Sequence, residues 1–482
     1  MNKKVNKYLC LLILVIPIIL GFTYSMRKEC DIWFLLSHGR YVLSNGFPHT
    51  DFLSMHSDLH FVMQQWLSSV IFYLTYKFLG SIGVYLLVWI SNLLIVFLLY
   101  KLNMKITNNN LLVSCFMTII ISLLLGIAYV VSRPITFSLI VFILLLYIME
   151  SYRKKKSKVI YLLIPLSLLE INLHASMWPV LFILLLPYIV YYFYLYFKEK
   201  DKFVFKLLLI VLLMVLVGFI NPYGIENMTY SFRSYGVTEI NKFIWEMNGL
   251  NFSSEYAYVK FFSYVTLLCM IGVTYLFIRS KKEIEIYKLL LFYGTYFMAL
   301  CNIRNTSIFF ICGLIFCGEY ISYKAKYVSE FNKKCIVLYL MAFIALVSVI
   351  YNHREGYILS DEYIGMSKVA NYLDKVASKD DPIYTNTCTG AYYSYKGYKN
   401  YIDTRVEVFL KINNHKEDVF KEFYKLVHYD TGYKEFLDKY NFKHLIIVDD
   451  EPLNRYLKSK DNDKYHVIYK YKEILLYERI DN

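Results

Sequence analysis

Long apolar runs fill most of the first 351 positions of this chain, and apart from the stretches 27–81 and 222–259 they are joined by short basic links. Runs of about 18 or more apolar residues are long enough to cross a bilayer as helices. They occur at 8–26, 82–101, 111–131, 134–150, 176–197, 205–221, 260–278, 305–321 and 335–351. Two shorter runs, 159–173 and 287–303, carry Glu170 and Asn302, so their ends are expected to face a cavity. The pattern predicts eleven spans. The stretch 62–79 is also apolar but reads as an interfacial helix, for a reason that lies in the charges.

Near residue 352 the pattern changes, and shorter apolar runs alternate with polar residues. Positions 360–378 keep helical spacing. Pro382–Thr385, Tyr398–Ile402, Leu445–Val448, His466–Tyr471 and Ile474–Glu478 read as strands, with helices at 415–428, 431–440 and 451–459 between some of them. The expected fold is mainly α: a polytopic membrane helix bundle over 1–351, with an outer loop at 27–81, followed by an extracytoplasmic α/β domain over 352–482. That last segment has no Gly-rich phosphate loop and no nucleophile elbow.

Basic residues set the orientation, because Lys and Arg favour the inner side of a membrane. Lys3, Lys4 and Lys7 put the N-terminus inside. Lys101–Lys105, Arg153–Lys158, Lys198–Lys206, Arg279–Lys288 and Lys324–Lys334 join it there only if 62–79 does not cross. If it did, Arg153-Lys154-Lys155-Lys156 would fall outside. Eleven spans then leave the C-terminus outside the plasma membrane. The basic start and apolar run resemble a signal peptide, but no small-residue cleavage site follows, which predicts an uncleaved anchor.

A composition that is 57% hydrophobic, with mean hydropathy +0.40, exceeds what a soluble core needs. The net charge of +14 belongs to the membrane part as topology determinants, so it does not indicate a nucleic-acid partner. Nine cysteines form no CxxC pair and no metal spacing. Most lie in spans; Cys30 and Cys388 are the outer exceptions, and a bond between them is an open option.

The candidate chemistry starts at Asp31, just outside the first span, where an enzyme would meet a substrate carried on a lipid. After it come His38-Gly39-Arg40, Pro48-His49-Thr50-Asp51 and Gln65-Trp66-Leu67. Later landmarks are Ser132-Arg133-Pro134, Asn172-Leu173-His174, Asn221-Pro222-Tyr223-Gly224, Arg304 and Ile402-Asp403-Thr404-Arg405-Val406-Glu407. Together these resemble the GT-C superfamily of polytopic glycosyltransferases, in particular the bacterial relatives of protein O-mannosyltransferases and lipid A aminoarabinose transferases. Leu35 departs from the pattern where relatives often carry His, and Gln65 where they often carry Glu.

The resemblance implies transfer of a sugar from a polyprenyl-phosphate donor to an acceptor hydroxyl on a glycan, lipid or protein, usually with inversion. Such a displacement needs a base for the acceptor proton and positive charge on the departing phosphate. Asp31 is the candidate base; its competing reading is an N-cap for the helix 32–44. Arg133 and Arg304 are candidate phosphate contacts, against interfacial Arg residues snorkelling to headgroups. His174 is a candidate in the cavity, against a satisfied structural histidine. Asp51 with Asp31 would offer oxygen ligands to a divalent cation, although nothing in the sequence requires a metal; its competing role is turn chemistry. Glu246, beside Trp245, either orients the acceptor or is solvated. Asp403 and Arg405 read as an ion pair or as a substrate-facing rim, and alternation in a strand would put them on one face with Glu407.

Two other classes stay open. One is a polysaccharide polymerase or ligase using lipid-linked sugars. The other is a non-catalytic protein, either a transporter or a degenerate homologue. A transporter would show mid-span charges or paired broken helices, whereas the charges here cluster at the outer span ends.

Overall fold

The computed structural model describes residues 14–25, 29–233, 240, 243–279, 284–325, 361–429, 432–460 and 462–480. The start of the first expected span, the span at 335–351 and the boundary near 352 lie outside them. Contacts group the chain into two compact units. One comprises Met1–Met26, Ile82–Met228 and Ile244–Glu355; the other comprises Arg27–Ser81, Thr229–Phe243 and Gly356–Asn482. The stretch 27–81 therefore groups with the C-terminal residues, a division different from the single cut near 352.

In chain order the helices are α1 (Val15–Ser25), α2 (Asp31–Asn45), α3 (Trp66–Ile106), α4 (Leu111–Ala128), α5 (Ile135–Lys155), α6 (Leu163–Leu173), α7 (Trp178–Glu199), α8 (Phe203–Val217), α9 (Ala257–Arg279), α10 (Ile286–Cys301) and α11 (Thr306–Ala325). Local signals explain their ends. The side chain of Asn110 caps α4 by accepting from the Val113 amide at 3.3 Å. Pro134 precedes α5, where its missing N–H costs nothing, and Lys156 closes α5 in a left-handed conformation. Gly80 breaks α3 with φ +62° and ψ −154°, so the stretch before it and the span after it are separate helices, as the pattern predicted. The first of these starts at Trp66, not at 62: the chain just before it pairs antiparallel through His60 and Thr50, with the Phe61 amide donating to the His49 carbonyl at 2.9 Å.

Among the described residues, six helices are long and apolar enough to cross a membrane by length and composition, and one of them, Trp66–Ile106, begins in the second unit. Phe203–Val217 and Ile286–Cys301 are apolar but shorter. α11 is the core helix, with Ile308, Phe309, Phe310 and Ile311 all fully buried. The apolar side chains of Leu186, Phe197, Leu209, Leu216, Leu268 and Ile278 are exposed on α7, α8 and α9, as expected of a lipid-facing surface. This is a multi-pass membrane bundle.

Charged groups tie one end of the bundle. Arg153 donates to Glu150 at 3.0 Å and to Glu285 at 3.0 Å. Lys288 pairs with Glu285 at 2.7 Å and with Glu319. Tyr188 and Tyr191 donate to Glu150 and Glu285, each at 3.1 Å. Satisfied pairs of this kind hold α5, α10 and α11 in register, since each charge is neutralised where water is scarce.

Apart from short single-turn helices, the further elements of the second unit are α12 (Asp361–Val376), β1 (Pro382–Tyr384), α13 (Thr387–Tyr395), β2 (Lys399–Asn400), α14 (Val419–Tyr429), α15 (Tyr433–Tyr440), β3 (His444–Val448), α16 (Pro452–Leu457), β4 (Tyr465–Tyr471) and β5 (Ile474–Arg479). They form a five-stranded sheet in the order β2-β1-β3-β5-β4. β1 is parallel to both β2 and β3, whereas β5 is antiparallel to β3 and β4. The five strands fall where the alternation placed them. α13 was not foreseen.

The loop 27–81 joins this sheet. Ser54 bridges Asn400 in parallel, and the Met55 amide donates to the Asn400 carbonyl at 2.9 Å. α2 packs on α13, with Trp33 against the rings of Tyr363, Tyr392 and Tyr395. Gly39 lies on α2 where a Cβ would collide with the Ser69 carbonyl, so only glycine allows this approach of α2 to the helix at 66–79. Cys30 and Cys388 are bonded, with Cα atoms 5.4 Å apart across 358 residues of sequence. Closing so long a loop constrains the unfolded chain strongly. Replacing both cysteines by Ser is expected to cost ~2–4 kcal/mol, read as a lower unfolding midpoint of the full chain. An unchanged midpoint would contradict this.

Candidate functional site

At the end of the bundle opposite the Arg153 ties, three of the sequence candidates meet. Arg133 stands just before Pro134 at the start of α5, and Thr136 holds the preceding turn by donating to the Val131 carbonyl at 2.6 Å. Arg304 lies in the 3-10 turn Ile303–Asn305 between α10 and α11, where the Asn302 side chain accepts from its amide at 2.9 Å. α5 has 21 residues. At 1.5 Å per residue the two clusters are thus about 30 Å apart along its axis, close to the thickness of a bilayer core.

Glu246 joins the two arginines. Its Oε2 accepts from Arg304 Nε at 2.9 Å and lies 3.9 Å from Arg133 Nη1. Tyr258 donates to its Oε1 at 3.5 Å. Burial alone would raise the Glu246 carboxyl; the charges of Arg304 and then Arg133 outweigh it and hold the group below its ordinary value. The side chains of Arg133 and Glu246 are each 30% exposed, and that of Arg304 is 41%. Two guanidinium groups converge here on one carboxylate that water still reaches, so an incoming anion has room to exchange with it.

His174 follows α6, and its Nδ1 is 2.9 Å from the Ser138 hydroxyl. Burial, with the Arg304 charge second, pushes its pKa down to about 3, so the ring is neutral and can donate or accept but not carry charge. One turn earlier, Glu170 is fully buried. Neither of its oxygens meets a partner at hydrogen-bonding geometry, although the Ser138 hydroxyl approaches it. Glu170 is thus shut off from the surface of the bundle. Asn302 is likewise buried, held by its cap to Arg304.

In the second unit, Asp31 occupies the first turn of α2 and is partly exposed. The cap position belongs to Cys30, which makes no side-chain cap. A carboxylate in the first turn is favoured by the helix dipole all the same. Elsewhere in this unit Asp51, Asp403 and Arg405 form a buried trio. Arg405 grips Asp403 with Nε at 2.9 Å and Nη2 at 2.6 Å, and reaches Asp51 with Nη1 at 2.6 Å. Asp51 Oδ2 also accepts from the Ser54 amide at 3.0 Å. Both Asp51 oxygens are thus committed to protein donors, a poor arrangement for sharing a cation with Asp31. Among the described residues no group of three or more His, Cys, Asp or Glu side chains is placed to hold a metal.

Alternation does not describe this stretch. After β2 ends at Asn400 the chain turns, and Val406–Phe409 forms a 3-10 helix. The Asp403 carboxylate accepts from the Arg405 amide at 2.8 Å, a local bond that turns the backbone away from extended pairing. Asp403 and Arg405 therefore meet through a turn, and Glu407 sits on the helix, not on a shared strand face.

The sequence shows His38 only as part of the run His38-Gly39-Arg40. It is fully buried among the rings of Phe34, Phe52 and Phe61, and neither ring nitrogen has a partner. Burial, then the Arg405 charge, keeps it neutral.

No protein-family model and no curated relative matches the sequence. Solved structures do match. ArnT from Cupriavidus metallidurans, bound to undecaprenyl phosphate, aligns over 98% of both chains at TM-score 0.57 and 12% identity. The Archaeoglobus fulgidus oligosaccharyltransferase, in the apo form, aligns over 99% of this chain and 75% of its own at TM-score 0.52 and 10% identity. The same organism's AglB, in complex with an inhibitory peptide and a dolichol-phosphate, aligns over 98% of this chain and 74% of its own at TM-score 0.50 and 10% identity. At such identities the likeness is one of fold: this chain has the fold of ArnT and of the archaeal oligosaccharyltransferase.

Proposed function

We propose that this protein is a membrane glycosyltransferase that moves a sugar from a polyprenyl-phosphate donor to an acceptor hydroxyl on the outer face, with inversion. The observation that carries the reading is the convergence of Arg133 and Arg304 on the single carboxylate of Glu246, in a chain with the fold of proteins solved with undecaprenyl phosphate and dolichol-phosphate. In this reading Glu246 occupies the place of the donor phosphate until the donor arrives, and then turns to the acceptor. Asp31 takes the proton of the acceptor hydroxyl as its oxygen attacks the anomeric carbon. The bond from that carbon to the phosphate oxygen breaks, and the polyprenyl phosphate leaves with the electron pair. Arg133 and Arg304 stabilise the charge that develops on it. Neutral His174 supplies a hydrogen bond at the same end without adding charge. Asp51, Asp403 and Arg405 shape the acceptor side by holding their unit together.

Donor binding tests the proposal. Arg133→Ala is expected to weaken binding of a polyprenyl-phosphate sugar about tenfold or more, the worth of a charge-assisted contact. Arg133→Lys should restore it only in part, lacking the planar fork. Full binding and transfer by the Ala variant would overturn the assignment.

The outer position of the C-terminal residues follows from the basic links and is supported by the Cys30–Cys388 bond, a feature of oxidising compartments. His415 and Lys155 are both exposed. In intact cells a thiol introduced at 415 should react with an impermeant label, and one at 155 should not. The reverse result would invert the topology.

A further inference from the structure

One face of α2, the chain at Phe52 and Leu53, and the segment from Ser394 to Lys399 line a half-open cavity of about 310 Å³ that the proposed chemistry leaves unused. Ser37, Arg40, Tyr41 and Ser44 recur at helical spacing, which turns a polar stripe of α2 towards it. Its two cations, Arg40 and Lys399, are held by carbonyl groups and not by carboxylates. Arg40 Nη2 donates to the Tyr395 carbonyl at 3.0 Å, with the guanidinium 5.0 Å from the centre of the Tyr395 ring. Lys399 Nζ donates to the Phe52 carbonyl at 2.7 Å. Among the described residues no Asp or Glu lines the cavity.

A guanidinium has five donors and an ammonium three, so these contacts fix both heads while most donors stay unused. The charge is positioned but not neutralised. Beside it the rings of Tyr41 and Phe52 stack with centroids 3.8 Å apart, giving an apolar wall. Two fixed cations, serine hydroxyls and an aromatic wall suit a sugar ring that carries negative charge. The volume, near the lower end of small-molecule sites, fits a single hexose.

We infer that this cavity binds an anionic hexose, a sugar unit bearing phosphate or carboxylate. The binding stands on the cavity alone; calling that unit part of the acceptor rests on the glycosyltransferase reading above, and gives the acceptor its charge.

The test uses the full chain in phosphatidylcholine nanodiscs, titrated calorimetrically without any donor, so that its outcome is separate from that of transfer. Glucose 1-phosphate and glucuronate are expected to bind about tenfold tighter than glucose, and glucose 1-phosphate tighter than inorganic phosphate. Arg40→Gln and Lys399→Gln should each weaken the anionic sugars about fivefold. Ser44 is exposed, so Ser44→Glu adds repulsion without disturbing packing and should weaken them similarly. Equal affinity for glucose, equal affinity for inorganic phosphate, or no effect of Ser44→Glu would overturn the inference. Suppression of hexose binding by phosphatidylglycerol in the nanodiscs would assign the cavity to lipid headgroups and overturn it as well.

Discussion

Asp31→Asn is expected to abolish sugar transfer while expression and folding stay near normal. Asparagine matches aspartate in size and is equally acceptable at the start of a helix, but it has no basic oxygen to take a proton. General-base assistance is worth about 10²–10⁴ in rate, so residual transfer should fall at least that far. The start of α2 does not depend on the carboxylate for its position, because the neighbouring Cys30 is bonded to Cys388 and Trp33 packs among tyrosines. A loss of rate can therefore be assigned to chemistry. The measurement is transfer from a polyprenyl-phosphate sugar, with the unfolding midpoint recorded beside it. Turnover near that of the native protein would remove Asp31 from the mechanism.

Arg405→Leu is expected to have the largest effect on stability. It would leave the carboxylates of Asp51 and Asp403 buried with no cation between them. Removing one partner of a buried ionic group costs about 3–5 kcal/mol, chiefly the penalty of the charges left behind. Arg405→Lys should recover only part, because one ammonium cannot reproduce two gripping contacts on Asp403 and a third on Asp51. Adding Asp51→Asn and Asp403→Asn to Arg405→Leu should recover more, since the stranded charges are then gone. The unfolding midpoint of the full chain checks each variant, and an unchanged midpoint in Arg405→Leu would contradict the account.

The trio also predicts a dependence on pH. Burial tends to raise the Asp51 carboxyl, but the Arg405 charge and the hydrogen bonds from Arg405 and Ser54 outweigh it and hold the group well below the usual carboxylate range. A depressed folded value stabilises the folded state above the unfolded pKa, about 3.9 for Asp. That contribution is lost as pH falls through the folded value. The trio should thus be insensitive to pH near neutrality and fail only in strong acid.

How much of this was legible in the sequence depends on range. The spans from 82 to 325 appear as helices close to where the apolar runs place them, because a helix in lipid satisfies its backbone within its own segment. The break at Gly80 and the five strands were also readable, since glycine and period-two alternation act locally. α13 escaped notice because its Thr, Tyr and Gly residues show no helical periodicity; the Asn386 side chain starts it by accepting from the Thr389 amide at 2.8 Å.

At the site, residue types were recognisable but partners were not. Arg133, Glu246 and Arg304 come from three separate connections, and only packing of the bundle brings them to one carboxylate. Asp51 and Arg405 stand 354 residues apart, so no local pattern links the turn at Asp51 to a turn after β2. The same holds for Cys30 with Cys388, and for Arg40 with Lys399 around one cavity. Hydrophobic period and charge bias determine which segments become helices or strands and which side of the membrane they favour, because those preferences act within one segment. Tertiary structure alone decides which of the scattered charged residues meet, because each pairing depends on how distant segments pack.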